Sequence, residues 1–430
     1  MFEHQFDIDP DASQSQLREI VERCERLKSA AAAAQARASA LWAEKRAAAE
    51  TVAGVPIRRR GKGLGTEIAL ARRDAPNCGG QHLGFANALV HEMPRTLAAL
   101  ERGELSEWRA TLIVRESACL SAAHRRQLDA ELCDEADGFD GWGNTRVEAA
   151  AKRIAARLDA AAVVERSAKA EEDRCVTTRP APNCMVYLTV LMPVAQGVGM
   201  YAALKRAADT TFDGRTRGQV MADTAYERVT GASVAVPASV NLNLVMADTT
   251  LAGDDSEPAW LDGYGPVPGG FACKLTGDAV ADKDAKAALR RLYRHPDSGQ
   301  LVAMESRART FPKALARFIG VRDRTCRIPY CNAPIRHLDH ATPDRSGGLT
   351  RAANGLGLCE ACNYAKEAPG WSVSAGTENG SHIAEFVTPT GAAYRSTAPP
   401  LPGRPVRQKV SLMEGRFSVD LVTFEGYDAA

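Results

Sequence analysis

Four cysteines in the C-terminal third fall into two close pairs, Cys326-x4-Cys331 and Cys359-x2-Cys362. Four thiolates suit a tetrahedral Zn²⁺ with every coordination position filled, and such a closed site holds a fold together without doing chemistry. The roughly fifty residues from Arg322 to Trp371 bury too little apolar surface to fold firmly alone, so a metal staple is the expected remedy. Between the pairs stands His337-Leu338-Asp339-His340, and directly after the last cysteine comes Asn363. A carboxylate and an amide oxygen, completed by waters and a phosphate, make the hard oxygen shell that Mg²⁺ or Mn²⁺ prefers. That ion would neutralise charge on a phosphodiester and stabilise the leaving 3′ oxygen. A neutral imidazole beside it can deprotonate the attacking water near neutral pH. Asp339 and Asn363 are therefore the candidate metal ligands and His340 the candidate general base.

These side chains need a particular frame. Adjacent residues of a strand point to opposite faces, so Asp339 and His340 converge only on a twisted or bulged backbone. A turn before Asn354 would let two antiparallel strands face each other, and a helix after Cys359 would bring Asn363 under the pair. The expected unit is ββα, clamped by zinc.

The pattern Asp339-His340-x-x-Pro343, Ser346-Gly347-Gly348, Asn354 and Cys359-x-x-Cys362-Asn363-x-x-Lys366 resembles the HNH endonuclease motif. The string from His337 to His340 with the later Cys-x-x-Cys-Asn is also similar to phage junction-resolving endonucleases of that superfamily. The resemblance implies a ββα-metal fold, DNA as partner and hydrolytic cleavage. It gives Asp339 and Asn363 to the metal and His340 to the base. Asn354 becomes the middle residue that ties the loop and orients the histidine through backbone contacts. His337 matches an accessory position of the resolvase-like pattern only, and a structural or solvent-facing role stays open beside it. Lys366 and Arg345 are candidate phosphate contacts. Arg322-Asp323-Arg324-Thr325-Cys326, Thr216-Arg217-x-Gln219-x-x-Ala222-Asp223 and Thr388-Pro389-Thr390-Gly391 resemble an abundant actinobacterial family, with likeness over about residues 66 to 400. Its members carry a long helical domain of unassigned function before a C-terminal HNH module. Many relatives close the motif with paired histidines; Cys362-Asn363 stands here instead, which favours magnesium or manganese over zinc or nickel for the chemistry. A protein of another class also fits the same residues: a zinc-stabilised DNA-binding or scaffold protein that no longer cuts.

The rest of the chain is read as mainly α with small β elements. Its 430 residues allow two or three domains, and a formal charge of +1 neither supports nor excludes nucleic acid. Residues 9–50 read as one long amphipathic helix with a heptad-like stripe of Leu17, Val21, Cys24, Leu27, Ala31, Ala34, Ala38 and Leu41. That stripe is either a homodimer seam or a face packed on the same chain. Residues 51–65 form a basic, flexible linker, Arg58-Arg59-Arg60-Gly61-Lys62-Gly63-Leu64-Gly65, that lacks phosphate-loop order and is a candidate contact to DNA backbone. A mainly helical domain is expected over 66–315, the nuclease-like module over 316–372, and short strands with a Pro-rich tail over 373–430. Strands are expected over Asn183–Met192 and Val240–Leu244, and a helix over Asp284–Tyr293. His82, His91 and His124 lie on helical stretches and read as core or surface residues. The other seven of the eleven cysteines are scattered and read as buried small hydrophobes in a reducing cytoplasm. No run of about 18 apolar residues occurs, so no membrane span is expected. The acidic N-terminus lacks the order of a secretory signal.

Overall fold

The computed structural model describes residues 8–134, 138–234, 243–281 and 311–402. The expected helix Asp284–Tyr293, most of the expected strand Val240–Leu244 and the tail beyond 402 lie outside the described residues.

Helix α1 (Gln14–Val52) begins four residues after Pro10 because Ser13 supplies a complete capping box. Its hydroxyl accepts from Gln16 N, and Gln16 Oε1 accepts from Ser13 N at 2.8 Å. The face α1 buries is small: Ser29, Ala32, Ala33, Ala36, Ser39 and Ala40. Small side chains bring its axis close to α3 (Gly79–Asn87) and α4 (Pro94–Arg102), which follow α2 (Leu64–Ala71). At the end of α4, Gly103 has φ +79° and a Cβ there would lie 2.9 Å from Arg26 Cα, so only glycine fits. The heptad-like stripe lies on another face and points outward, with Leu17, Val21, Leu27 and Leu41 all exposed.

Helices α5 (Glu107–Glu116), α6 (Ala122–Cys133), α7 (Asn144–Leu158) and α8 (Ala160–Ala170) complete the helical layer around Leu89, Met93, Leu100, Leu105, Ile113 and Leu128. Buried Asp129 of α6 satisfies the first turn of α4, accepting from Arg95 N and Thr96 N at 2.8 Å each. Asp159 separates α7 from α8 by leaving helical geometry and capping α8 through Ala162 N at 2.9 Å. His82 pairs with Asp74 at 2.8 Å, His124 is half-buried near Asp159, and His91 is exposed.

Strand β2 (Met185–Leu191) falls within the expected run, and its antiparallel partner β1 (Cys175–Ala181) was not foreseen. Helices α9 (Val194–Asp209) and α10 (Arg217–Thr230) follow. A small sheet of order β3 (Leu244–Val245), β4 (Ala259–Leu261) and β5 (Gly265–Val267) comes next, with α11 (Asp248–Ala252) and α12 (Gly269–Ala281) beside it. The seven scattered cysteines correct the expectation of burial: Cys175 is exposed, and Cys24, Cys78, Cys119, Cys133, Cys184 and Cys273 are half-buried. Among the described residues no helix is long and apolar enough to cross a membrane.

The C-terminal unit runs α13 (Lys313–Asp323), β6 (His337–His340), β7 (Gly355–Leu358), α14 (Glu360–Lys366), and then a meander of β8 (Ser372–Glu378), β9 (Ser381–Val387) and β10 (Ala393–Thr397). Its core joins the four cysteines to Leu356, Leu358, Ala384 and Phe386 and takes in Leu70 of α2. Packing therefore carries this unit past residue 372, where a boundary was expected, because β9 supplies the side chains that close the core. The chain is thus mainly helical with small antiparallel sheets, and a four-cysteine cluster lies near its C-terminal end.

Candidate metal centre and strand–strand–helix site

Cys326, Cys331, Cys359 and Cys362 are buried, and their sulfurs lie within 4.8 Å of one another. The Cys331 and Cys359 sulfurs are 3.8 Å apart. A zinc–sulfur bond near 2.3 Å makes the edge of a sulfur tetrahedron about 3.8 Å, so the cluster fits Zn²⁺. The x4 knuckle closes as a turn, with Cys331 N donating to Ile328 O at 3.1 Å and Tyr330 at φ +63°. Cys359 caps α14, which places Cys362 one turn on, facing inward. Hydrogen bonds within the cluster hold the Cys331 thiol well below its ordinary range and push Cys326 and Cys362 up. Four thiolates cannot coexist in this space without a cation to balance them.

The first knuckle hands the chain to His337–His340 on β6, and the second hands it to Asn363 on α14. β6 and β7 are antiparallel with Asp339 opposite Leu356 and His340 opposite Gly355. The register is regular, so the bulge expected between Asp339 and His340 is absent and alternation sends them to opposite faces. Leu338 packs on the α13 cluster with Phe311, and the His340 ring lies against Phe311 at 4.6 Å between centroids. His340 is buried, and its Nε2 lies 2.8 Å from the Thr350 hydroxyl. Asp339 turns toward α14, where its Oδ2 meets Lys366 Nζ at 2.9 Å, while Oδ1 accepts from His340 N at 2.8 Å.

Lys366 corrects an expectation. Its side chain is 2% exposed and its ammonium sits between Asp339 and Glu367, so it cannot double as a surface phosphate contact. Arg345 is exposed, but its guanidinium is paired with Glu367 at 2.9 Å. His337 is half-buried at the far end of β6, its ring 6.3 Å from that of Tyr364. Asn363 stands one turn before Lys366, on the same flank of α14, and its Oδ1 is buried with no hydrogen-bond partner. A buried carbonyl oxygen without a donor is costly. A hard cation is one chemistry that would satisfy it; Asp339 meets Lys366, one turn further along the same helix. A carboxylate and an amide oxygen are donor types that Mg²⁺ or Mn²⁺ accepts.

Asn354 binds the β6–β7 loop across its width. Its amide donates to Thr342 O at 3.0 Å and Leu349 O at 2.9 Å, and its oxygen accepts from Thr342 N at 2.9 Å. Gly348 passes so close that a Cβ there would lie 1.8 Å from Thr342 O. The same loop carries Thr350, which motif reading passed over. Also missed was a buried ionic lattice behind the site. Asp323 accepts from Arg322 Nε at 2.7 Å, Arg327 Nη1 at 2.9 Å and Gly357 N at 2.8 Å, and Arg322 reaches Ala352 O and Gly355 O. Burial pushes the Asp323 carboxyl up, but the two arginines outweigh it and hold the group below its ordinary value. Arg322-Asp323-Arg324 carries a family resemblance alone, and the distant partner His382 has no local signal in the sequence.

No family model, curated protein or solved structure matches this chain.

Proposed function

We propose that the chain is a metal-dependent HNH-type endonuclease that hydrolyses DNA phosphodiester bonds, its module stapled by structural zinc on Cys326, Cys331, Cys359 and Cys362. The carrying observation is the buried, unpartnered amide oxygen of Asn363 on the flank of α14 that meets Asp339. Asp339 and Asn363 would hold Mg²⁺ or Mn²⁺, whose charge would ease attack on the phosphorus and departure of the 3′ oxygen. His340 is the general base of this reading; because alternation turns it to the face of β6 opposite Asp339, the reading requires the strand to twist as DNA and metal bind. With Nε2–H donated to the Thr350 hydroxyl, Nδ1 is the ring nitrogen that takes a proton from water. Lys366 fixes the Asp339 carboxylate, and Asn354 fixes the loop that carries Thr350. The seven cysteines outside the cluster form no disulfide, which accords with a reducing cytoplasm. The exposed stripe of α1 is the surface on which a second copy would seat, giving two centres for two strands.

A second reading has its own observation. His340 is buried, and both carboxylate oxygens of Asp339 already have protein partners. That favours a zinc-stabilised DNA-binding or scaffold protein without cleavage. Plasmid nicking decides between them. Wild type should nick in Mg²⁺ or Mn²⁺, and His340→Ala should lose about 10²- to 10⁴-fold in rate with zinc content unchanged. Equal nicking by both removes the mechanism, and no nicking with several metals and DNA forms favours the scaffold.

A further inference from the structure

The basic stretch Arg58 to Lys62 is a built element and not a slack linker. Ile57–Arg59 is a short helical turn, with Arg59 N donating to Pro56 O at 2.8 Å. Arg60 Nε donates to Val55 O at 2.9 Å, and Gly61 N donates to Glu50 Oε2 at 2.7 Å, so the turn is tied to the end of α1. On its other side it is seated on the cysteine-bearing unit. Gly63 has φ +83°, and a Cβ there would lie 2.7 Å from Trp371 Nε1 and 3.1 Å from Ala368 Cβ.

Ala368 lies two residues past the end of α14, the helix that carries Asn363. The joint beneath is firm. Buried Glu67 binds Arg46 of α1 at 2.8 Å and Thr390 of the β9–β10 turn at 3.4 Å, and Leu70 enters the cysteine core. Two arginines near this joint are held by carboxylates, Arg46 by Glu67 and Arg72 by Glu107. Arg58, Arg59 and Lys62 are exposed and make no ion pair among the described residues. Three unneutralised cations within five residues, held in fixed register to α14, have the character of a phosphate-binding surface.

We propose that Arg58, Arg59 and Lys62 form a second phosphate-contact element that grips the backbone of duplex DNA beside the ββα unit. This rests on the endonuclease reading above and supplies the anchoring charge that buried Lys366 and paired Arg345 do not. The contact is to backbone phosphate and therefore positions the duplex without reading its sequence.

The test uses the full zinc-loaded chain carrying His340→Ala, to prevent cutting, and a fluorescent mixed-sequence duplex. Adding Arg58→Ala, Arg59→Ala and Lys62→Ala should weaken binding about ten-fold or more near 0.1 M salt and lower the salt slope by roughly 2 to 3. Replacing the two arginines by lysine while keeping Lys62 should preserve the slope, which a merely structural role would not. In the otherwise wild-type chain, the alanine triple should need about ten-fold more protein to reach half-maximal single-turnover cleavage. A parent that binds and cuts, with a triple variant of unchanged affinity and slope, overturns this element alone. A zinc-loaded parent that neither binds nor cuts DNA overturns the endonuclease reading, and this element with it.

Discussion

Thr350 holds the His340 imidazole through Nε2 at 2.8 Å, and that bond decides which ring nitrogen stays free to accept a proton. A hydroxyl accepts as readily as it donates, so the proton settles on Nε2 when Nδ1 faces water. Thr350→Val keeps the shape and removes the partner. The expected result is a drop of about ten-fold in cleavage rate with a displaced pH profile, and Thr350→Ser should restore both. An unchanged profile in the valine variant would dismiss the tautomer argument. Asn354 works differently, since all its side-chain bonds go to backbone of the loop. Asn354→Ala leaves two loop carbonyls and one amide without their partner and should cost about 1–3 kcal/mol in a chemical unfolding experiment. Cleavage should fall with it, because Thr350 loses its seat.

At the scale of elements, the module is held by two staples of different chemistry. One is the cysteine cluster; the other is the lattice in which Arg327 links Asp323 to His382 of β9. His382 Nε2–H donates to Ala353 O at 3.1 Å, and Nδ1 accepts from Arg327 at 3.1 Å, so the ring must be neutral in the folded protein. Burial first, and the Arg322 charge next, lower its pKa from 6.5 to about 3. A depressed folded pKa gives stability that is complete above the unfolded value and lost as pH falls. The unfolding midpoint in urea should therefore decline as pH drops below about 6.5, by up to about 1.4 kcal/mol per unit, before most carboxylates titrate. His382→Gln should flatten that decline between about pH 6.5 and 4.5; an identical slope would show that another group carries it.

The cysteine spacing and the strand–strand–helix order were legible because thiol pairs and turn residues act over a few positions. The lattice was not, since Arg327, four residues from Asp323, meets His382 and Ser396 only after β9 and β10 fold back. Nor was the burial of Lys366, whose ammonium is decided by Asp339 on another element. The β1–β2 pairing was half-legible: β2 is an apolar run, while β1 contains Pro180 and two threonines and carries no periodic signal of its own.

Across the whole molecule, the helical unit and the cysteine-bearing unit are joined at one corner. Leu70 of α2 is fully buried in the core that encloses the cysteines, Glu67 bridges Arg46 and Thr390, and Gly63 lies under Trp371. Cation loss should therefore be felt beyond the knuckles. Structural zinc contributes on the order of 10 kcal/mol to folding in small modules, more than the remaining core of this unit can replace. Cys359→Ser, or a strong chelator, should melt α14 and release Trp371 from Gly63. The basic turn at Arg58–Lys62 would then lose its support on one side and open to trypsin, which cuts after lysine and arginine. Limited proteolysis followed by mass spectrometry should find this stretch cut slowly in the zinc-loaded chain and many-fold faster after chelation. The α4–α7 layer, with its own core around Leu100 and Ile113, should resist in both. If cutting at Arg58–Lys62 proceeds at the same rate with and without zinc, the corner does not couple the two units. The phosphate-contact turn would then ride on the helical unit alone.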